Sequence, residues 1–250
     1  MKILWMTSLR PLGKSKENDK IQNIFLNSIL TIDKYIKFSF TQFDDTGVSN
    51  FIKKMNIKSF FINCQRKLLP NGKKYSNKIM LENALKQFLK FDFTHLVYST
   101  ADIIIPADIF EILNSDTKIK NNKEFCALVY PNILIKNGAI KSTTTPHYGI
   151  DIFVYKLKKS SVKKILKSIK HWDQYDWGIN DNFYVSLCDL LKIPIYNIYK
   201  NTTILKYEND FKTINESRKW QITSWKENKK YFLNFLNQNK ISTLYAHGSY

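Results

Sequence analysis

The chain reads as an α/β protein: a single domain with a mostly parallel central sheet, helices on its faces and a C-terminal helical extension. Three observations predict this. Short apolar runs rich in β-branched and aromatic residues, such as Ile3 to Met6 and Thr94 to Tyr98, have the length of buried strands. Between them stand segments with apolar residues at helical spacing, such as Asp19 to Tyr35 and Lys78 to Phe91. Strand and helix alternate at a pitch that suits crossover connections, and such connections make neighbouring strands parallel.

The elements follow in order. Ile3 to Met6 is a first strand, with Thr7, Ser8 and Arg10 in its exit loop. Asp19 to Tyr35 repeats Ile21, Ile24, Phe25, Ile29 and Ile32 on one helical face. Ile36 to Phe43 alternates like a strand and ends in the turn cluster Asp44-Asp45-Thr46-Gly47. Val48 to Met55 is a short helix, Lys58 to Cys64 a third strand and Arg66 to Lys74 a basic loop. Lys78 to Phe91 is a helix feeding the central strand Thr94 to Tyr98. After the polar break Ser99-Thr100-Ala101-Asp102, Ile103 to Ile105 lead to Pro106, which opens a helix with Asp108 and Glu111 in its first turn.

Phe125 to Ile135 is one strand interrupted by Pro131, and Asn137-Gly138 marks a hairpin turn in the polar stretch that follows. Tyr148 to Tyr155 is a strand containing Asp151. Ser160-Ser161 caps a basic helix, Val162 to Ile169. The segment from His171 to Asn182 packs Trp172, Tyr175 and Trp177 among Asp173, Asp176 and Asp181, a composition suited to sugar rings and hydroxyls. Phe183 to Leu191 is helical, Ile193 to Tyr199 a last strand, and Asn201 to Ser217 irregular. Trp225 to Leu236 closes as a Lys- and aromatic-rich helix, packed on the domain or laid on an anionic membrane.

Composition narrows the function. At 44% hydrophobic and 14% aromatic over 250 residues the chain can bury a sizeable core, and 7 Gly and 6 Pro argue against long linkers. Lys and Arg total 39 against 21 Asp and Glu, for a net charge of +18, which suits phosphorylated substrates, an anionic surface or nucleic acid. The basic residues are dispersed, and no finger spacing or aromatic RNA-binding motif appears, so nucleic acid is set aside. Cys64, Cys126 and Cys188 form no metal or redox spacing and read as reduced thiols in the cytoplasm. No run is apolar enough for a signal peptide or membrane span, which leaves peripheral contact with the inner membrane as an option.

Within this frame Asp102 stands out. A buried strand delivers its carboxylate to a C-terminal strand end, where open α/β sheets bind ligands. A turn or cap is the plainer role for such an Asp.

Three segments together resemble the nucleotide-sugar-dependent glycosyltransferases of the GT-A fold, in particular bacterial family-2-like members. LVYSTADIIIP is similar to a strand ending in Asp-x-Asp, with Thr100 at the first acidic position and Asp102 at the second. GKKYSNKIMLENAL resembles a segment whose polar side chains face the nucleotide diphosphate. WGINDNF is similar to a Trp-Gly-x-Glu-Asp segment that opens a helix near the acceptor, with Asn180 in place of Glu. The resemblance covers roughly residues 1–205, with 206–250 as the helical extension packed on that domain.

What the resemblance implies is transfer of a sugar from a nucleotide-diphosphate donor to a hydroxyl of a bacterial surface glycan, capsule or lipopolysaccharide, with inversion. Asp181 is then the base and Asp176 its reserve. Thr7, Ser8, Arg10, Asp44, Lys78, Thr100, Ala101 and Asp102 hold the donor. His147, Asp151, Trp177 and Gly178 meet a glycan or lipid-linked acceptor. Asp102 binds Mn²⁺ or Mg²⁺ beside the diphosphate, because the leaving oxygens gain charge. Thr100 in place of Asp, and Lys206 near where relatives supply a His, leave a metal-independent variant open. A degenerate glycan-binding protein and a nucleotidyltransferase are the alternatives, though the first loop holds only Gly13 where the latter needs a Gly-rich phosphate loop.

Overall fold

The computed structural model describes residues 1–32, 37–62, 78–105, 108–129, 133–136, 139–142, 150–170, 180–198, 205–208 and 232–241. The strands are β1 (Lys2–Met6), β2 (Lys37–Phe43), β3 (Ser59–Ile62), β4 (His95–Ser99), β5 (Ile103–Ile104), β6 (Phe125–Val129), β7 (Ile133–Lys136), β8 (Ala139–Ser142), β9 (Ile152–Lys156), β10 (Ile195–Asn197) and β11 (Leu205–Glu208). The helices are α1 (Lys16–Ile32), α2 (Val48–Lys54), α3 (Lys78–Lys90), α4 (Ile109–Ser115), α5 (Thr117–Lys120), α6 (Lys159–Ser168) and α7 (Asn180–Leu191), with a further helix α8 at 232–239.

Seven strands form the central sheet in the order β10-β6-β9-β4-β1-β2-β3. The pairs β1–β2, β1–β4, β2–β3 and β6–β10 are parallel, as the strand–helix alternation requires. β9 runs antiparallel to both β4 and β6. Its reversal brings Asp151, just before its first residue, to the end of the sheet where β4 finishes: Ser99 pairs with Ile152.

Both sheet faces are covered, so the central strands are apolar on both sides. On β1, Leu4 and Met6 join one core with α3, α6, α7 and α8, while Ile3 and Trp5 join the other with α1, α2, α4 and α5. The same alternation places Phe153 and Tyr155 of β9 on the first side, Ile152 and Val154 on the second. Within α8, Phe232, Phe235 and Leu236 are buried in the first core, and the Phe235 ring lies 5.4 Å from that of Phe183. The apolar side of α8 therefore packs on the domain and is not offered to a membrane; residues 225–231 of the expected helix lie outside the described residues.

Four shorter strands make a second sheet, β5-β11-β7-β8. The sequence reading misses it. Phe125 to Ile135 is not one strand: β6 stays in the central sheet and β7 belongs to the small one. The stretch expected to be irregular after residue 201 contains β11, which pairs antiparallel with β5 and parallel with β7. Elements of two to four residues carry too little periodicity to register in sequence. β7 and β8 pair antiparallel with Lys136 opposite Ala139, while residues 137–138, the expected hairpin turn, lie outside the described residues. α6 also begins earlier than its serines suggest. Lys158 is its N-cap without a side-chain cap of its own, and the Glu124 carboxylate accepts the Lys158 N–H at 2.9 Å instead.

Candidate functional site

β1 lies between β2 and β4, so the chain leaves β1 to one side and returns on the other. The carboxyl ends of β1 and β4 therefore flank a topological switch point, where open sheets bind ligands. Buried hydrogen bonds tie these ends together. Trp5 Nε1 donates to Ser99 Oγ at 2.8 Å and Thr7 Oγ1 donates to the Ser99 carbonyl at 3.0 Å; beside them, a part-buried bond from Asn83 Nδ2 of α3 to Thr41 Oγ1 of β2 spans 2.6 Å. Thr7 is fully buried and spends its hydroxyl on this frame.

The loop after β1 is closed by its own chain. The Arg10 N–H donates to Gln22 Oε1, the Leu12 N–H to the Thr46 carbonyl at 2.9 Å, and the Gly13 N–H to the Asp19 carboxylate at 3.0 Å. Three amides that a phosphate-cradling loop would present are thus occupied, which counts against a nucleotidyltransferase-type loop. Ser8 is half-buried, and the exposed Arg10 donates to Asn18 Oδ1 at 3.0 Å. Asp44, half-buried at the end of β2, accepts the Ser49 N–H at 3.2 Å in the first turn of α2.

Past Ser99 the polar groups change character. The Thr100 N–H donates to the Asp151 carbonyl at 3.2 Å and Thr100 Oγ1 to Asp151 Oδ1 at 3.2 Å. Asp151 is only 2% exposed. Asp181, in the first turn of α7, accepts the Ile150 N–H on Oδ2 at 3.0 Å. Asp102 follows at the joint between the two sheets, one residue before β5, and its Oδ1 is buried with no hydrogen-bond partner among the described residues. Ala101 beside it packs on the second core.

Tyr98 lies beneath this group and stacks on Tyr184, with ring centroids 4.3 Å apart. Burial pushes its hydroxyl pKa well up, and Tyr184, Asp181, Asp151 and Asp102 add to the shift in that order. Three carboxylates, from the loop after β4, the residue before β9 and the first turn of α7, are thus near enough to Tyr98 to hold its hydroxyl pKa up. The sequence reading named the three acids without signalling that they meet, and it missed the frame residues Asn83 and Ser99. Asn83 sits inside the MLENAL stretch, on a helix facing the sheet, which is the one signal that could have found it.

Lys78 stands apart from this cluster. Its Nζ donates to the Lys170 carbonyl at 3.0 Å and lies 3.7 Å from Glu82, so it ties α3 to the end of α6. His147, Asp176, Trp177 and Gly178 lie outside the described residues. Lys206 lies on β11, opposite Ile103 of β5. Among the described residues no three His, Cys, Asp or Glu side chains are arranged to hold a metal ion. Asp102, with its orphaned oxygen, is the donor present. Mg²⁺ keeps several waters and can be held by one carboxylate plus substrate phosphates, so Asp102 fits such an ion only in that sparse form. No helix among the described residues is long and apolar enough to cross a membrane.

No protein-family model matches the chain, and no curated protein matches it in sequence. Solved structures do resemble it. Staphylococcus aureus TarS 1–349 is 12% identical, with a TM-score of 0.52 over 95% of this chain and 71% of that one. A putative nucleotide-diphospho-sugar transferase from Desulfovibrio desulfuricans G20 is 10% identical, with a TM-score of 0.44 over 94% of this chain and 96% of that one. The inositol-1-phosphate CTP transferase from T. maritima is 10% identical, with a TM-score of 0.48 over 90% and 96%. At these identities the likeness to TarS speaks for a shared fold: a central, mostly parallel sheet flanked by helices.

Proposed function

We propose that this chain is a glycosyltransferase that moves a sugar from a nucleotide-diphosphate donor to a hydroxyl of a bacterial surface glycan, capsule or lipopolysaccharide, with inversion. The observation that carries the reading is the grouping of Asp102, Asp151 and Asp181 at the carboxyl end of β4 beside a switch point, where Thr100 bonds Asp151 and the Ile150 N–H bonds Asp181. Sugar transfer needs acids at such a place for two reasons. The incoming hydroxyl must lose a proton, and the departing diphosphate must be met by charge.

Asp181 takes the proton. Its Oδ2 bond to the Ile150 amide fixes the plane of the carboxylate, so the base chemistry falls to Oδ1. Asp151, held by Thr100 and deep beneath the rim, orients an acceptor hydroxyl. Asp102 faces the diphosphate. A divalent cation held there would supply positive charge to the leaving oxygens. Ser8, Arg10 and Asp44, on the loops after β1 and β2, grip the nucleoside. The acceptor is a glycan or a lipid-linked sugar on the cytoplasmic side of the inner membrane. Residues 206–250 extend the domain, since α8 contributes to its core.

The test is release of nucleotide from a panel of nucleotide sugars, with Mn²⁺ and with chelator. UDP-GlcNAc comes first, because TarS 1–349 has been crystallised with it. Asp181→Asn should lower transfer by about 10²- to 10⁴-fold while leaving donor affinity unchanged. Full turnover in that variant removes Asp181 from the mechanism. Failure to bind or hydrolyse any donor would make the chain a glycan-binding protein on a transferase fold.

A further inference from the structure

Helix α6 and the turn that follows it carry a ridge of exposed lysines. Lys159, Lys163, Lys167 and Lys170 recur at intervals of four, four and three residues, which aligns them along one flank, while Val162, Ile165 and Ile169 are buried on another. No Asp or Glu occurs from Ile152 to Lys170. None of the four lysines is in an ion pair among the described residues. Among the described residues, nearby carboxylates pair closely with other lysines, Glu82 with Lys78 at 3.7 Å, Asp92 with Lys2 at 2.9 Å and Glu124 with Lys158 at 3.4 Å, although Asp92 also feels the charge of Lys159. α3 packs against α6 and adds the exposed Lys86 and Lys90.

The opposite face of the sheet differs. There Lys16 and Lys20 alternate with Glu17 and Asp19 on α1, and Lys118 and Lys120 of α5 stand beside Glu111 of α4 and the cap residue Asp116. Among the described helices of that face, only α2 shows lysines, Lys53 and Lys54, without an acid on the same helix. A mere compositional excess of lysine would load both faces alike. The asymmetry marks the α6 side as a surface for an anionic partner.

We infer that the α6 ridge docks the protein on an anionic lipid bilayer. Its charges are all lysine, compact and strongly hydrated, which suits diffuse attraction to a plane of headgroups. Nucleic-acid surfaces combine Arg forks with aromatic stacking platforms, and α6 has neither. The flank of a helix is convex and meets a flat sheet of charge along its length. The ridge also ends beside the start of α3, where Lys78 donates to the Lys170 carbonyl. That is the end of the sheet at which β4 finishes, so a docked membrane would lie along the approach to the carboxylates. The docking itself does not depend on sugar transfer.

The experiment is sedimentation of the full chain with phosphatidylglycerol vesicles and with phosphatidylcholine vesicles, at low and high salt. The chain should bind the first and not the second, and salt should release it. Replacing Lys159, Lys163, Lys167 and Lys170 by Gln should weaken binding by roughly fivefold per lysine, or several hundredfold in all. Replacing Lys16, Lys20, Lys118 and Lys120 by Gln removes the same charge from the opposite face and should change binding by less than about threefold, the diffuse effect of net charge. Thermal unfolding checks that each variant folds. Should the ridge variant fail that check, the Lys163→Gln, Lys167→Gln pair carries the test with about a 25-fold loss. Equal losses from the two faces, equal binding to both vesicles, or no binding to phosphatidylglycerol would each overturn the inference. So would a ridge variant that loses affinity for DNA but keeps its affinity for vesicles.

Discussion

The two ends of strand β4 are built differently. At its start, polar groups close on one another. Thr94 Oγ1 accepts the Lys2 N–H at 3.2 Å and lies 2.8 Å from His95 Nδ1, and His95 is buried against the edge of Phe125. At its finish, Ser99 is closed in the same way by Trp5 and Thr7, but three residues on stands Asp102, whose buried Oδ1 has no hydrogen-bond partner among the described residues. A buried polar atom with no partner costs free energy, and folded proteins keep few of them. The contrast separates an end whose polar groups are spent on the fold from the end to which the proposed chemistry is assigned.

The largest expected effect tests the finishing end. Asp102→Asn should cut transfer by about 10²- to 10³-fold, the usual loss when charge stabilisation of a leaving group is removed. The same variant should leave stability unchanged or slightly raised, because it removes the negative charge from a carboxylate with a buried, unpartnered oxygen while keeping its shape. Nucleotide release and urea unfolding measure the two sides. A fall in stability that accounts for the lost activity would erase the contrast between the ends.

The starting end should respond to pH. Burial, then Lys156 and the N-terminus, push the His95 pKa down to about 4. The unfolded chain takes up that proton near 6.5 and the folded chain only near 4. The contribution is therefore fully present above pH 6.5 and is lost as pH falls toward 4, by up to about 3 kcal/mol at about 1.36 kcal/mol per unit. Urea unfolding between pH 7 and 5 should show more than half of this loss, and His95→Gln should flatten the slope. A slope that persists in the variant would place the titration elsewhere.

The smallest effect sharpens the boundary between the two characters. Trp5→Phe keeps the aromatic packing against Phe25, Phe40 and Phe110 but leaves Ser99 Oγ without its donor. It should destabilise the protein by about 1–2 kcal/mol. Donor affinity should change little, since the indole lies inside the core. A large loss of affinity would mean that the Ser99 frame belongs to the site itself.

Much of this was legible in the residues. β1, β4 and β9 are largely apolar because both of their faces are covered, and a run of strand length is enough to show it, while β2 shows itself by alternation. α1 and α3 declare themselves by helical spacing over 17 and 13 residues. Asp102 was visible as an acid at a strand end. Less legible were the elements whose reason for existing lies elsewhere in the chain. β5 has two residues and exists because β11, a hundred positions later, pairs with it. The N-terminus of α6 was placed too late because Lys158, where the helix begins, is anchored not by its own side chain but by Glu124, on a segment far upstream.

What the sequence determined by itself was local: the period of each segment, and hence an α/β layering with a parallel centre. Hydrophobic burial depends on spacing within a few residues, and spacing is written in the chain. Only the tertiary structure decided that Thr100 meets Asp151, 51 positions away, and that Asp181 meets Ile150, 31 positions away. Those contacts depend on the reversal of β9 and the docking of α7. Both are set by packing across the whole sheet, because a carboxylate finds its partner by where its element comes to rest.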